Sequence, residues 1–240
     1  MFACQATLAT DVATWKKATP DGDWGTASNW YDGIVPGSTY TVTIWGKAVI
    51  THMPEINYDA GLISALGLNW NFDTNQTAKL TLTGSSAFLK VTAGTYLNRS
   101  SGSSISTNGL SAEIDILDGA IFQTVTLRMG SGADNSIAIN IGADSELRVW
   151  HPIASTADIL DWGSGNHTIN LIGANASFSI TGPSDQTAII QNWIDSGYIT
   201  RNSAVLGGFN LTYDATRKLT TVVGIPKTLK LIVVSGVSAP

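Results

Sequence analysis

The feature that most constrains this chain is an alternation of apolar and polar residues that recurs in five segments. The segments are YTVTIWGKAVIT, AKLTLTGSSAFLKVT, AEIDILDGAIFQTVTLRM, SIAINIGADSELRVW and HTINLIGANASFSIT, which begin at residues 40, 78, 112, 136 and 167. A period of two places successive side chains on opposite faces of a strand, so each segment predicts strands with one buried face. No helical periodicity occurs before residue 184.

The five segments also share a unit, apolar-x-apolar-x-Gly-x-x-x-apolar-x-apolar. Its glycines are 38, 35, 23 and 31 residues apart, at Gly46, Gly84, Gly119, Gly142 and Gly173. A fixed strand-turn-strand unit joined by loops of variable length is typical of a solenoid. We therefore expect an all-β fold with a parallel β-helix, or β-solenoid. The alternative is an antiparallel β-sandwich, which also has short alternating strands at near-regular intervals.

The C-terminal part of the chain departs from this pattern. The stretch SDQTAIIQNWIDSGYI, which begins at residue 184, predicts a short helix with Ser184 or Asp185 as N-cap and Gly197 just after its end. The face that we expect it to bury carries Ile189, Ile190, Trp193 and Ile194. A hairpin turning at Asp214 to Arg217 and a last strand, KTLKLIVVSGV from residue 227, follow.

These segments predict three parts within one domain, which is the expectation for a chain of 240 residues. Residues 1 to 39 form an N-terminal segment and a Trp-rich capping loop. Residues 40 to 182 form the β-solenoid. Residues 183 to 240 form a capping helix, a hairpin and a terminal strand.

Composition excludes several classes of partner and cofactor. Only 13% of the residues are charged and the net charge is −5, with no cluster of Lys or Arg that could follow a phosphate backbone, so we expect no nucleic acid partner. No apolar run approaches the roughly 20 residues of a membrane-spanning helix. With a single cysteine, Cys4, and with histidines far apart at positions 52, 151 and 167, we expect no metal site and no cofactor.

A Trp-rich loop precedes the first alternating segment. It reads GDWGTASNWYDGIVPG from residue 22, with Gly22, Trp24, Asn29-Trp30, Gly33 and Pro36 at fixed offsets before a Val/Thr/Ile strand. This motif resembles the N-terminal motif of secreted bacterial β-solenoid proteins of the autotransporter-passenger type and of exported proteins with sorting tails. The stretches IIQNWIDSGYI and LTYDATRKLTTV resemble the C-terminal portion of some of these exported proteins. The resemblance implies a secreted or cell-surface β-solenoid.

We expect the loop to close the first coil of the solenoid. Two indoles bury about 150 to 250 Å² each when they pack, so Trp24 and Trp30 are the predicted lid. Asn29 is expected to bond the turn backbone, while Gly33 and Pro36 direct the chain into the first strand. The alternative is that both indoles are exposed platforms that stack on sugar rings.

Catalytic groups are sparse. Carboxylates and basic residues that could line one face of successive coils, as in β-helix lyases and hydrolases, are Asp115, Asp118, Asp144, Glu146, Arg128 and Arg148. We interpret them instead as solvated surface charge and expect no enzyme activity.

The terminal strand supplies the functional hypothesis. It is apolar on both faces, through Leu229, Leu231, Ile232, Val233 and Val234, which is typical of a strand inserted into a sheet. We expect copies of the chain to associate head to tail through terminal strands, as an extracellular structural protein that forms filaments or matrix. The alternatives are a carbohydrate-binding module and a polysaccharide-degrading β-helix enzyme.

Overall fold

The computed structural model describes residues 11 to 16, 19, 21 to 44, 52 to 69, 77 to 98, 109 to 130, 134 to 150, 160 to 203 and 205 to 227. Over these residues the fold is all-β, a parallel β-solenoid of about five turns with one α-helix. Its strands are β1 (Val12–Thr14), β2 (Thr41–Ile44), β3 (Glu55–Ile56), β4 (Asp59–Leu68), β5 (Thr77–Thr83), β6 (Phe88–Leu97), β7 (Ser111–Leu117), β8 (Ile121–Thr124), β9 (Leu127–Met129), β10 (Ser136–Ile141), β11 (Glu146–Val149), β12 (Leu160–Asp161), β13 (Asn166–Leu171), β14 (Ser177–Thr181), β15 (Ile199–Arg201), β16 (Leu206–Asp214) and β17 (Leu219–Pro226). The helix α1 spans Thr187–Asp195, and a 3-10 turn spans Ala27–Asn29.

The strands form two sheets. The eleven-stranded sheet runs β1-β2-β4-β6-β8-β11-β14-β17-β16, with β9 beside β6 and β12 beside β9. The six-stranded sheet runs β15-β13-β10-β7-β5-β3. Each coil contributes a strand to the six-stranded sheet, turns a corner, contributes to the eleven-stranded sheet and returns.

Pairing within the coil stack is parallel; the central strands of the six-stranded sheet run in register, whereas β4 and β6 pair with register shifts. Ile139 on β10, for example, lies opposite Ile114 on β7 and Ile169 on β13. The predicted parallel β-helix is therefore confirmed, and the antiparallel sandwich is wrong. Among the described strands, antiparallel ladders involve only β17, which pairs with β14 and with β16; an isolated antiparallel bridge also joins Trp15 and Trp30.

The alternation in the sequence fills the space between the sheets. On the six-stranded sheet one inward column is aliphatic in five successive coils, with Leu80, Ile114, Ile139, Ile169 and Ile199 each at most 1% exposed. On the facing sheet the matching column alternates aliphatic and aromatic side chains, Leu89, Phe122, Leu147, Phe178 and Val222, all fully buried. Each such side chain stabilises the stack by about 1.5 to 3 kcal/mol, so the column pattern fixes the register.

The glycine of the repeating unit lies at the corner between the sheets. Gly84 and Gly119 have φ of +92° and +87°, a left-handed conformation that glycine adopts without a steric penalty. In the next two coils the residue in the left-handed conformation is Asp144 or Asn175. Gly173 is required for another reason, because a Cβ at this position would collide with the backbone of Ala143. Gly46 lies outside the described residues.

The opposite corner is built from asparagine, which the sequence pattern did not indicate. Asn69 and Asn98 end β4 and β6 in the left-handed conformation, both with φ of 51°. The side-chain amide of Asn69 donates to Asn98 Oδ1, and that of Asn98 donates to the carbonyl oxygens of Leu110 and Ser136. These bonds satisfy the backbone groups of successive buried turns.

The predicted helix and hairpin are both present. Helix α1 begins after Gln186, so its N-cap is neither Ser184 nor Asp185. The Gln186 side chain makes no capping bond, whereas the Asp185 carboxylate accepts the Thr187 amide at 2.8 Å. Gly197 has φ of +78° and follows the last helical turn, as expected. The hairpin of β16 and β17 turns where predicted, with the Thr216 and Arg217 amides donating to Asp214 Oδ1.

Candidate functional site

The Trp-rich loop places its indoles inside the N-terminal end of the solenoid. Trp24 and Trp30 are 0% exposed and lie in the hydrophobic core, together with Trp15. The Trp30 ring centroid is 4.8 Å from that of Trp24 and 4.9 Å from that of Trp15, both edge to face. The Trp30 Nε1 donates to the Trp24 carbonyl oxygen at 2.9 Å. No ring face of Trp24 or Trp30 is open to a sugar.

Backbone bonds from the same loop cover strand edges of both sheets. On the six-stranded sheet, the Trp24 amide donates to the Glu55 carbonyl at 3.0 Å and the Glu55 amide donates to the Gly22 carbonyl at 2.6 Å. On the other sheet, the Tyr31 amide donates to the carbonyl of Thr14 in β1 at 3.0 Å. Both sheets therefore meet the loop at this end of the stack.

The remaining predicted loop residues shape its turns. Asn29 is fully buried, and its amide donates to Asp21 Oδ1 at 2.7 Å and to the Asp23 carbonyl at 2.9 Å. Gly33 has φ of +65°, and Pro36 is buried just before β2. Trp15 also contacts the loop but was not part of the motif. It directly follows β1, and its burial continues the alternation that buries Ala13 in that strand.

At the C-terminal end, Trp193 anchors α1 to the body of the protein. Its ring centroid lies 5.6 Å from that of Trp162, which stacks on Tyr198 at 4.7 Å. Ile190 is fully buried, and Trp193 and Ile194 pack against the core. Ile189 is 39% exposed, so the prediction that it shares the buried face is wrong; the short helix buries a narrower stripe.

The residues predicted for assembly, Leu229, Leu231, Ile232, Val233 and Val234, lie outside the described residues. The structure does describe β16, and the predicted terminal segment begins beside the start of that strand. The Lys227 amide donates to the Val205 carbonyl at 2.9 Å, so the chain leaves β17 beside the start of β16. Among the described strands, β16 pairs only with β17 and ends the eleven-stranded sheet.

The free edge of β16 can be assigned from the ladder. Gly224 lies opposite Phe209, and its amide donates away from β16, to the Ala176 carbonyl at 2.9 Å. Because hydrogen-bonded and non-hydrogen-bonded pairs alternate along an antiparallel ladder, the amides of Phe209, Leu211 and Tyr213 point away from β17. Nine residues long and mostly half-buried or exposed, β16 offers a backbone edge for another strand.

The carboxylates and basic residues that were considered as catalytic candidates do not line one face. Asp115 lies on the six-stranded sheet, Glu146 and Arg148 lie on the eleven-stranded sheet, and Asp118 and Asp144 lie in the corners between them. Asp118 accepts from Thr83 and Asp144 accepts from Asn175. Arg128 lies on β9, a different coil from Arg148. The path of the chain around the coils therefore places these charged side chains on different sheets, corners and coils.

Two of these carboxylates are held by cations. Lys79 Nζ lies 2.6 Å from Asp115 Oδ2 and 3.1 Å from Glu113 Oε1. Burial alone lowers the pKa of Lys79, but the hydrogen bonds to Asp115 and Glu113 outweigh it and raise the pKa. The hydrogen bond that Arg148 donates to Glu146 raises the pKa of Arg148 against the opposing effect of burial. The carboxylates beside Lys79 and Arg148 therefore favour the charged form of both cations.

The described part of the chain contains no group of three or more His, Cys, Asp or Glu side chains that could hold a metal ion. His167 is buried and its Nε2 lies 2.8 Å from the Gly130 carbonyl oxygen, while His52 Nδ1 lies 3.2 Å from the Thr19 carbonyl. No helix in these ranges is long and apolar enough to cross a membrane.

Comparison with known proteins adds no assignment to this geometry. No family model, no curated protein and no solved structure matches the chain.

Proposed function

We propose that this protein is an extracellular structural protein whose copies associate head to tail through strand edges into filaments or matrix. The observation that carries the proposal is the edge of β16, which ends the eleven-stranded sheet with outward amides and pairs on one side among the described strands. A strand from another copy adds to such an edge by main-chain hydrogen bonds.

The direction of β16 suits a repeating contact. Strand β17 is antiparallel to β14, and β16 is antiparallel to β17, so β16 again runs in the direction of the coil strands. A strand that adds parallel to β16 therefore extends the same ladder that the solenoid already uses. Such a heterologous contact generates a filament unless its rotation closes a ring.

The donor in this proposal is the apolar segment from residue 227 of another copy. It carries Leu229, Leu231, Ile232, Val233 and Val234 in six positions and leaves β17 next to β16. The low charge of the chain, 13% with a net of −5, opposes such an association only weakly. The alternative use of the same segment is to fold back on its own β16.

A location outside the cell and a role without catalysis belong to the same proposal. The resemblance of the Trp-rich loop to secreted bacterial β-solenoid proteins supports the location. The carboxylates considered as catalytic candidates lie apart from one another. Each is bonded to a cation, a hydroxyl group or an amide, and this supports a role without catalysis.

A surface polysaccharide is the second partner that we propose. It must use a surface other than the Trp-rich loop, because Trp24 and Trp30 are fully buried. A half-exposed indole elsewhere, Trp150, lies in a groove on the outer face of the eleven-stranded sheet.

Deletion of residues 228 to 240 tests the donor. We expect the full chain to form filaments visible by electron microscopy at neutral pH, and the truncated chain to remain folded and monomeric by light scattering. A truncated chain that unfolds shows that the segment is a private cap. One that assembles as before shows that another surface makes the contact.

Paired lysines on β16 test the acceptor. Asn210 and Thr212 are exposed, so Asn210→Lys with Thr212→Lys adds charge to the edge without removing buried contacts. We expect this variant to stay monomeric. The matched control is Ser85→Lys with Ser86→Lys, which adds the same charge at an exposed corner of the coil stack. Equal assembly of both variants would contradict the role of β16.

A further inference from the structure

A groove lies on the outer face of the eleven-stranded sheet, along β14 and between β11 and β17, with a volume of about 610 Å³. The groove forms because small side chains on one strand lie between longer side chains on its neighbours. The outward residues of β14 are small, Ser177, Ser179 and Thr181, and they form the floor. Longer side chains from β11 and from the β16–β17 turn rise beside them, among them Glu146, Arg148, Trp150 and Arg217.

The polar groups of the groove are fixed in place by hydrogen bonds. Arg148 donates to Glu146 Oε2 at 2.6 Å, and the Ser179 hydroxyl donates to Glu146 Oε1 at 3.1 Å. Ser179 Oγ also lies 3.1 Å from Thr221 Oγ1 on the next strand. A planar carboxylate and a planar guanidinium are thus held side by side before any ligand arrives, which reduces the entropy lost on binding.

An aromatic surface adjoins this network. Trp150 immediately follows β11 and its side chain is 50% exposed, while its amide donates to the Thr124 carbonyl at 2.8 Å, which holds the backbone in the sheet. Its exposure contrasts with the burial of Trp15, Trp24 and Trp30. The groove therefore offers an apolar ring beside hydroxyl, carboxylate and guanidinium groups.

The charges indicate an uncharged ligand. Glu146 is paired with Arg148, and Arg217 Nε lies 3.7 Å from Asp214 Oδ2, so the two cations are each matched by an anion. An anionic polymer would need uncompensated cations. A peptide would be recognised best at a strand edge, whereas this groove lies on a sheet face. A chain of hydroxyl groups with apolar ring faces complements both the polar network and the indole.

The length of the floor indicates an oligomer rather than a single ring. From Ser177 to Thr181 the strand advances four residues, or about 13 Å at a rise of about 3.3 Å per residue. We propose that this groove binds a neutral linear oligosaccharide, with Trp150 stacking on a ring face and Glu146 and Arg148 bonding hydroxyl groups. This inference rests on the proposed polysaccharide partner and not on self-association.

The test is titration calorimetry of the full chain with cellohexaose, maltohexaose and laminarihexaose. We expect at least one to bind, and Trp150→Ala to weaken it by about tenfold or more. Ser177→Leu, which fills the floor and keeps the indole, should weaken it comparably. Tyr31→Ala is the matched control, because Tyr31 is 47% exposed and is not among the residues that line the groove. Melting curves establish that each variant is folded; where Trp150→Ala is not, Ser177→Leu decides.

Three outcomes would overturn the inference. They differ in whether they also contradict the proposed polysaccharide partner. If none of the three neutral oligosaccharides binds, the polysaccharide partner falls with the groove. If one binds with unchanged affinity to both groove variants, the partner stands and the groove is wrong. If oligogalacturonate binds instead and Arg217→Ala abolishes it, the ligand is anionic. By light scattering, Trp150→Ala should assemble as the unmodified chain does, which separates this site from assembly.

Discussion

The two ends of the solenoid are closed by different means. At the N-terminal end, three buried indoles fill the space between the sheets, and the loop that carries two of them hydrogen-bonds to β1 and to β3. At the C-terminal end, α1 contributes one fully buried side chain, Ile190, and the hairpin of β16 and β17 extends the eleven-stranded sheet.

This difference separates two tasks of a solenoid cap. The interior of the last coil must be kept from water, and the backbone edge of each sheet must be paired or protected. The Trp-rich loop does both. The hairpin reverses the strand direction twice and so leaves an edge in the original direction, which is why the acceptor edge is proposed at this end of the stack.

The largest effect should come from removal of the central indole of the N-terminal end. Trp30 contacts both Trp15 and Trp24 edge to face and is fully buried. We expect Trp30→Ala to lower the free energy of unfolding by about 3 to 5 kcal/mol, as for large-to-small changes in a core. Denaturant unfolding monitored by circular dichroism measures the loss.

The neighbouring residue supplies the control for that measurement. Tyr31 is 47% exposed, so Tyr31→Ala should change the free energy of unfolding by no more than about 0.5 kcal/mol. A Trp30→Ala variant as stable as Tyr31→Ala would mean that the indoles do not close the coil. The contrast between the two ends would then be lost.

A smaller loss is expected when the helix contact at the C-terminal end is removed. Both residues of the comparison lie on α1: Ile190 is fully buried, and Ile189 is 39% exposed. Ile190→Ala should lower the free energy of unfolding by about 2 to 4 kcal/mol because it leaves a cavity. Ile189→Ala should cost much less. Equal losses in the two variants, measured by denaturant unfolding, would show that α1 is not anchored through Ile190.

Much of the fold could be predicted because the solenoid repeats one short rule. Alternation determines which side chains face inward, and repetition of the Gly-centred unit indicates parallel stacking. The asparagine corner could not be predicted, since Asn69 and Asn98 are 29 residues apart and their bonding depends on the coil register. The N-cap of α1 was misplaced because Gln186 occupies it without a side-chain capping bond, and capping preferences favour Ser or Asp at that position.

The candidate sites were less accessible from sequence. The Trp-rich motif predicted buried indoles and left stacking on sugars as the alternative, but no sequence pattern distinguishes Trp24, which is buried, from Trp150, which is 50% exposed. The groove brings together residues of β11, β14 and the hairpin turn, from Glu146 to Arg217, so no local pattern marks it. The outward edge of β16 depends on which face of the hairpin pairs with β14, which is a property of the assembled sheet.

The smallest expected effect is a pH dependence at the start of α1. Asp185 is exposed, and the hydrogen bonds from the Thr187 hydroxyl and amide lower its pKa below the ordinary value of 3.8. A carboxyl whose pKa is lower in the folded than in the unfolded state stabilises the fold above the unfolded pKa, and that contribution is lost as the pH falls through the folded pKa. We therefore expect the C-terminal end to loosen below about pH 4. Asp185→Asn keeps an acceptor oxygen and removes the titration, so unfolding curves of the two proteins should converge as the pH falls. Curves that keep a constant separation down to acid pH would show that Asp185 does not stabilise this end through its charge.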